Sequence, residues 1–300
     1  MRERFYRLLS AVSRYLGPEF FLLIARGIAS GYFCLFPRRT AVSVRFYRAL
    51  YPGRHVFFYL TCAWRQFQNF TTLFLDRHLL QAGDAMDYTF DGHEHLLNTL
   101  ERKKGGILLM SHLGNWEMGA RLLRRDFPRL RLMLYVGQRA KDQIERLQKQ
   151  DLIASGARVV AVDQAGGSAF DLVEGAAFLR SGGVVSMAGD MVWRPDQRSV
   201  TVRFLGHWVR VPEAPFMLAL AVGVPLYIFF AAARGRQAYH FSILPPVTVT
   251  AGHRALRTEA VRNAAQAYAD RLETQLRRSP FEWYHFSPFL GPAAPDSKKL

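Results

Sequence analysis

The most informative segment of the sequence is Gly105-Gly-Ile-Leu-Leu-Met-Ser-His-Leu-Gly-Asn-Trp-Glu117. Its two glycines interrupt the helical pattern before them, and Ile107–Met110 is a short, continuous apolar run. Such a run predicts a strand that is buried on both faces. The next helix is predicted to begin at Asn115. This places His112 just past the carboxyl end of a buried strand and Glu117 in the first turn of the helix that follows.

The pattern on either side predicts an α/β fold with a mixed central sheet flanked by helices. Strands alternate with helices through most of residues 105–231, and a hairpin is predicted around Gly206. Long helices are predicted at 56–82 and 258–278 from their apolar spacing. The further predicted strands cover 88–90, 130–136, 158–162, 184–188, 226–231 and 239–244.

Residues 1–55 are apolar and basic, which predicts a helical segment associated with a membrane. The run 20–36 is 17 residues long and is interrupted by Arg26. That length is at the lower limit for a spanning helix, so the helix either crosses the membrane or lies in its surface, with arginines on the cytoplasmic side. An ordinary buried helix is the alternative. We therefore predict an N-terminal segment at 1–55, a main domain at 56–290 and a flexible tail at 291–300.

The charge of the chain favours anionic partners. Forty Lys and Arg residues against 24 Asp and Glu residues give a net charge of +16. This attracts nucleic acid, anionic lipid or an acidic protein, although it also keeps a protein soluble. A nucleic-acid-binding protein is the alternative from a different class. It is less favoured because the arginines are scattered and no nucleic-acid-binding module is recognisable. The two cysteines, Cys34 and Cys62, exclude a disulfide scaffold and a structural zinc site.

His112 and Glu117 are the candidate catalytic pair because of their setting. The spacing alone is uninformative, since nine histidines and 24 acidic residues in 300 positions, 9 × 24/300, give about 0.7 such pairs by chance. Functional groups of α/β sheets gather beyond the carboxyl ends of strands. A carboxylate beside an imidazole fixes its tautomer, which suits a general base. The sequence has no GxSxG elbow, so the base would act on a substrate hydroxyl. A structural histidine is the alternative.

The run His112-Leu-Gly-Asn-Trp-Glu117 resembles the first motif of the lysophospholipid acyltransferase superfamily, and its Gly-Asn-Trp-Glu form is similar to the branch of bacterial lipid A late acyltransferases. Three later runs resemble that branch in the same order, at 184–190, 202–206 and 278–285. The likeness covers residues 56–289. In the last run we expect Trp283, Tyr284 and His285 to pack in the core, with the lining of an acyl tunnel as the alternative.

The resemblance implies transfer of a fatty acyl chain from a thioester donor to a hydroxyl or amine of a membrane lipid. His112 would be the base and Glu117 its partner. The family usually has an arginine near the position of Lys149-Gln150, so another arginine would replace it here. The candidate substrate-binding residues are Asn115, Arg139, Asp190 and Arg203.

The resemblance also implies partners and a location. We expect an acyl carrier protein as donor, an anionic membrane lipid as acceptor, no nucleic acid, no cofactor, a monomer, and the cytoplasmic face of the inner membrane. An acyl-CoA-dependent lysophospholipid or aminolipid acyltransferase is the alternative enzyme. An inactive scaffold that keeps the fold is a further alternative.

Overall fold

The computed structural model describes residues 12–13, 15–138, 158–163, 169–194 and 196–295. The helices within these residues are α1 (Pro18–Leu35), α2 (Pro37–Leu50), α3 (Val56–Ala82), α4 (His93–Glu101), α5 (Trp116–Asp126), α6 (Ala169–Arg180), α7 (Ala214–Val222) and α8 (Arg257–Arg278). The strands are β1 (Asp87–Asp91), β2 (Gly106–Met110), β3 (Leu132–Gln138), β4 (Arg158–Asp163), β5 (Val184–Ala188), β6 (Ser199–Phe204), β7 (His207–Pro212), β8 (Leu226–Gly235) and β9 (Ala238–Ile243).

Seven strands form one sheet in the order β1-β9-β8-β2-β5-β3-β4. The central strand β2 is parallel to both of its neighbours, β8 and β5, whereas β9 is antiparallel to β8. The sheet is therefore mixed, which confirms the predicted α/β class. The predicted hairpin is also present, because β6 and β7 form a separate antiparallel pair.

The apolar run in β2 is continuous because both faces of the strand are covered. Ile107 and Leu109 point into one hydrophobic cluster, and Leu108 and Met110 point into the other, as the alternation of side chains along a strand requires. All five residues of β2 are buried. Full burial of such a side chain is worth roughly 1.5–3 kcal/mol, so this strand anchors the segment that follows it.

The N-terminal helices pack onto the rest of the chain through aromatic contacts. Phe33 of α1 meets the rings of Trp64 and Phe67 of α3 edge-on, at centroid distances of 5.3 and 5.5 Å. Phe46 of α2 stacks on Trp283 at 5.5 Å, so residues before position 56 share the core of the main domain.

In the described part of the chain, α1 is the one helix that is long and apolar enough to cross a membrane. Phe21 is its one buried side chain. We use the term N-terminal apolar surface for the exposed side chains of α1 and of the start of α3, which are Leu23, Ile28, Leu35, Val56 and Phe57.

The first residues of the predicted tail are held against the hairpin. Gly291 N–H donates to Trp208 O at 2.9 Å, and Ala294 N–H donates to Gly206 O at 2.8 Å. Residues 291–294 are therefore ordered by β7, whereas residues 296–300 lie outside the described residues. Amino-acid composition does not show which backbone groups will form hydrogen bonds. For this reason the Pro- and Ala-rich segment was predicted to be a flexible tail.

Candidate active site

His112 and Asp190 meet at the carboxyl edge of the sheet. Met110 and Ala188 are paired in register on the parallel strands β2 and β5, and each of the two functional residues follows two positions later. His112 Nδ1 lies 3.0 Å from Asp190 Oδ1, and the backbone N–H of His112 donates to Oδ2 at 2.6 Å. Asp190 is completely buried, whereas 24% of the His112 side chain is exposed.

The charge state of Asp190 sets the tautomer of His112. Burial alone would raise the pKa of Asp190, but the nearby His112 and its hydrogen bonds lower that pKa below its usual value. A carboxylate accepts hydrogen bonds only, so Nδ1 of His112 is the protonated ring nitrogen. In the neutral ring Nε2 is then the basic nitrogen, which is the arrangement of a general base oriented by a carboxylate.

Glu117 forms a buried ion-pair cluster with two arginines. Arg77 of α3 binds the carboxylate with two nitrogens, with Nε donating to Oε1 at 2.9 Å. Arg121, one helical turn later, donates to the same Oε1 at 2.9 Å. Burial alone would raise the pKa of Glu117, and the charges of Arg77 and Arg121 lower it. The carboxylate that orients the His112 ring in the structure is thus Asp190, while Glu117 ties α5 to α3.

Asn115 is the N-cap residue of α5 and connects this helix to a second buried cluster. Its Oδ1 accepts the Met118 backbone N–H at 3.1 Å, which caps the helix, and its Nδ2 donates to Tyr239 Oη at 2.9 Å. Tyr239 in turn donates to Asp76, whose pKa is raised to about 6, chiefly by burial. These contacts give Asn115 a structural role, and its binding of substrate stays a prediction.

The loop between His112 and Glu117 is shaped by backbone contacts. Gly114 has φ +79°, and its N–H donates to Glu282 O at 2.9 Å. A Cβ at this position would lie 2.1 Å from Ala231 O of β8, so only glycine fits there without a shift. The Asn115 N–H donates to the same carbonyl at 2.8 Å. The turn therefore depends on β8 and on the closing segment, by which we mean residues 279–290 after α8.

That closing segment brings a further imidazole to the site. The rings of His285 and His112 are in edge contact at a centroid distance of 5.4 Å. Trp283 and Tyr284 are buried, as the core-packing prediction expected. His285 is buried as well but lies at the site, which its sequence neighbours gave no reason to expect. The resemblance of residues 278–285 to a family motif is the signal that could have found it.

A cavity of about 980 Å³ opens beside Asp190 and His285. Its wall is apolar in part, with Met191, Trp208 and Phe289 among its lining residues. The side chains that give it positive charge come from three different elements and are Arg194, Arg210 and Arg262.

Arg203 and Arg139 are the other residues predicted to bind substrate. Arg203 lies on β6, where its backbone exchanges hydrogen bonds with the Gln266 side chain of α8 at 2.8 and 2.9 Å. Arg139 and Lys149-Gln150 lie outside the described residues. Within the described ranges, no group of three or more His, Cys, Asp or Glu side chains is arranged to hold a metal ion.

Comparison with known proteins places this geometry in a family. The chain is 28% identical over 206 residues to the phosphatidylinositol mannoside acyltransferase of Mycobacterium tuberculosis, in each of the strains H37Rv and CDC 1551. The match covers 68% of this chain and 60% of the relative's length. Residues 65–290 match the family described as bacterial lipid A biosynthesis acyltransferase. They include His112, Glu117, Asp190 and His285, and the chain belongs to this family.

Proposed function

We propose that the protein is a membrane-associated acyltransferase that moves a fatty acyl chain from a thioester donor to a hydroxyl or amine of a lipid. The observation that carries this proposal is the His112–Asp190 pair, whose aspartate lines a partly apolar cavity. The pair supplies an oriented base, and the membership of the family supplies the class of reaction.

In the proposed reaction His112 acts directly on the acceptor. Its Nε2 removes the proton from the acceptor O–H or N–H while that oxygen or nitrogen attacks the thioester carbonyl carbon. A new C–O or C–N bond forms, the C–S bond breaks, and the imidazolium returns its proton to the departing sulfur. The buried charge of Asp190 stabilises the imidazolium between these two steps. Glu117 supports the site by holding α5 in place through Arg77 and Arg121.

The donor we propose is an acyl carrier protein. Such a partner is acidic, and the net charge of +16 favours its approach. Arg194, Arg210 and Arg262 line the cavity, where guanidinium groups suit the phosphate of a pantetheine arm. Acyl-CoA carries phosphates on the same arm, so donor preference is measured by comparing the two thioesters at equal concentration.

The acceptor would reach the site from a membrane. The N-terminal apolar surface is exposed, with Leu35 at 76% and Phe57 at 70% accessibility. Arg38, Arg39 and Arg54 lie close to it in sequence, and basic residues near an anionic lipid surface contribute about 1 kcal/mol each. These features support attachment to the cytoplasmic face of the inner membrane. The likeness to a phosphatidylinositol mannoside acyltransferase makes the sugar hydroxyl of a glycolipid the first acceptor to test.

The test compares the wild-type protein with His112→Ala in cells and in vitro. Mass spectrometry of the membrane lipids should show one lipid that is heavier by a single acyl group when the wild-type protein is active. The same product should be absent with His112→Ala, because loss of a general base slows such reactions about 10²–10⁴-fold. Equal amounts of acylated lipid in the two strains would refute the proposal.

A further inference from the structure

His285 is carried to the site by the segment that follows α8. Tyr284 N–H donates to His112 O at 2.7 Å, and Gly114 N–H donates to Glu282 O at 2.9 Å. Trp283 also forms an isolated antiparallel bridge with Leu113. The backbone immediately before His285 is therefore paired with the loop that holds His112. Its place next to that ring is built into the fold.

The ring of His285 is fixed in orientation by its neighbours. It stacks on Trp283 at 5.5 Å with an interplanar angle of 13°, and it meets Phe289 at 5.0 Å. Nδ1 lies 3.2 Å from Ser287 O. A carbonyl oxygen only accepts hydrogen bonds, so Nδ1 carries the proton and Nε2 is the hydrogen-bond acceptor of the neutral ring.

His285 also stays neutral. Burial and then the proximity of His112 lower its pKa to about 4, although Asp190 opposes the shift. In its neutral form each of the two adjacent rings has its proton on the Nδ1 that faces an oxygen acceptor. The Nε2 of each neutral ring is then a hydrogen-bond acceptor, and a single hydroxyl proton can be shared with only one of them.

We propose that His285 is a binding residue for the acceptor, and that its Nε2 accepts a second polar hydrogen of the group whose first hydrogen His112 removes. His285 and Asp190 both line the 980 Å³ cavity, so a molecule in the cavity reaches the ring. The acceptor is then a group with two polar hydrogens close together, such as neighbouring sugar hydroxyls or a primary amine. An isolated secondary hydroxyl, as in a lysophospholipid, leaves His285 unsatisfied. This inference rests on the proposed acyl transfer.

Two substitutions separate the binding role of His285 from a structural one. In His285→Asn the side-chain amide can still donate near the position of Nδ1, which retains the contact with Ser287 O and removes Nε2. In His285→Gln the longer side chain places its amide oxygen near the position of Nε2. His207→Asn is the matched control, because His207 Nδ1 also lies against a backbone carbonyl, that of Gly291 at 3.1 Å, but in the hairpin.

The experiment uses the palmitoyl thioesters of acyl carrier protein and of CoA in parallel, each with three acceptors that share one chain length: 1-dodecanol with one polar hydrogen, dodecylamine, and dodecyl β-glucoside. The wild-type protein should prefer one of the last two over dodecanol by about tenfold or more in kcat/KM, the effect of one buried hydrogen bond. His285→Asn should remove that preference, mainly through a higher KM for the preferred acceptor. His285→Gln should restore part of it, and His207→Asn should behave as wild type.

Three results would overturn the role of His285. The first is an equal fall in kcat/KM for all three acceptors in His285→Asn, and the second is an unchanged acceptor preference in that variant. The third is a wild-type protein that prefers dodecanol or uses none of the three acceptors. Melting temperatures of the variants show whether an equal fall in kcat/KM is caused by unfolding. An equal fall of this kind would mean that His285 has a structural role. The proposed function is judged separately, by whether the acylated lipid in cells depends on His112.

Discussion

Asp190 and Glu117 are both buried carboxylates, and their amide substitutions should have different effects. Asp190→Asn keeps the size of the side chain, and its oxygen can still accept the His112 backbone N–H, now 2.6 Å away. Its amide NH₂ would then face His112 Nδ1 and favour the tautomer that has the proton on Nε2. The base is lost in that tautomer, so kcat should fall about 10²–10⁴-fold with little change in the fold.

Glu117→Gln should instead reduce stability. The carboxylate lies between Arg77 and Arg121, and Arg77 is 5% exposed. Removal of one partner of a buried ion pair costs about 3–5 kcal/mol, because the remaining charge stays buried without compensation. The glutamine oxygen still accepts one hydrogen bond, which favours the lower end of that range. Activity per folded molecule should remain close to that of the wild type.

The assay measures initial rates of thiol release and of lipid product well below the melting temperature of the least stable variant. Urea unfolding gives the free energy of each variant, and His112→Ala gives the rate without a base. The reasoning is refuted if Glu117→Gln loses activity as severely as His112→Ala while its unfolding free energy is unchanged. It is also refuted if Asp190→Asn retains wild-type kcat, since Asp190 would then not orient the base.

Three further predictions concern the surroundings of the site. Gly114→Ala should abolish transfer while circular dichroism stays native, because the new Cβ would lie 2.1 Å from Ala231 O and the backbone has φ +79°. Glu282 has a folded pKa raised to about 7 from 4.5, chiefly by burial, so its folded state favours the protonated form and stability falls as pH rises from 4.5 to 7. The free energy of unfolding of Glu282→Gln relative to that of the wild type, measured in urea, should therefore increase by up to about 3 kcal/mol between pH 5 and pH 8. The absence of an increase would contradict this prediction. Leu23→Glu with Phe57→Glu should weaken sedimentation with phosphatidylglycerol vesicles, whereas Val173→Glu, also at an exposed apolar position, should not.

The secondary structure around the site could be predicted because its signals are local. The run Ile107–Met110 is apolar at every position, and the glycines before it break the helix. The structure confirms a central strand there, with α5 beginning one residue later than predicted, at Trp116. The periodicity of 56–82 likewise predicts α3 with the same bounds.

The contacts within the site are mostly long-range in sequence, and local patterns do not contain them. Asp190 follows β5, and β5 is the neighbour of β2 only because β3 and β4 are placed farther out in the sheet. Arg77 reaches Glu117 from a helix 40 residues earlier, and His285 reaches His112 from far beyond it. The sequence therefore predicted Glu117, the acidic residue nearest to His112 in the chain, as the partner of His112.

Local sequence patterns are sufficient to predict the class of the fold, the position of His112 at the end of a buried strand, and the family resemblance that the family match confirms. These depend on hydrophobic periodicity and on short motifs, which act over a few residues. Three features could be seen only in the folded chain: Asp190 contacts His112, Glu117 holds α5 against α3, and His285 lies beside His112. Those outcomes follow from strand order and side-chain packing, which bring distant residues within hydrogen-bonding distance.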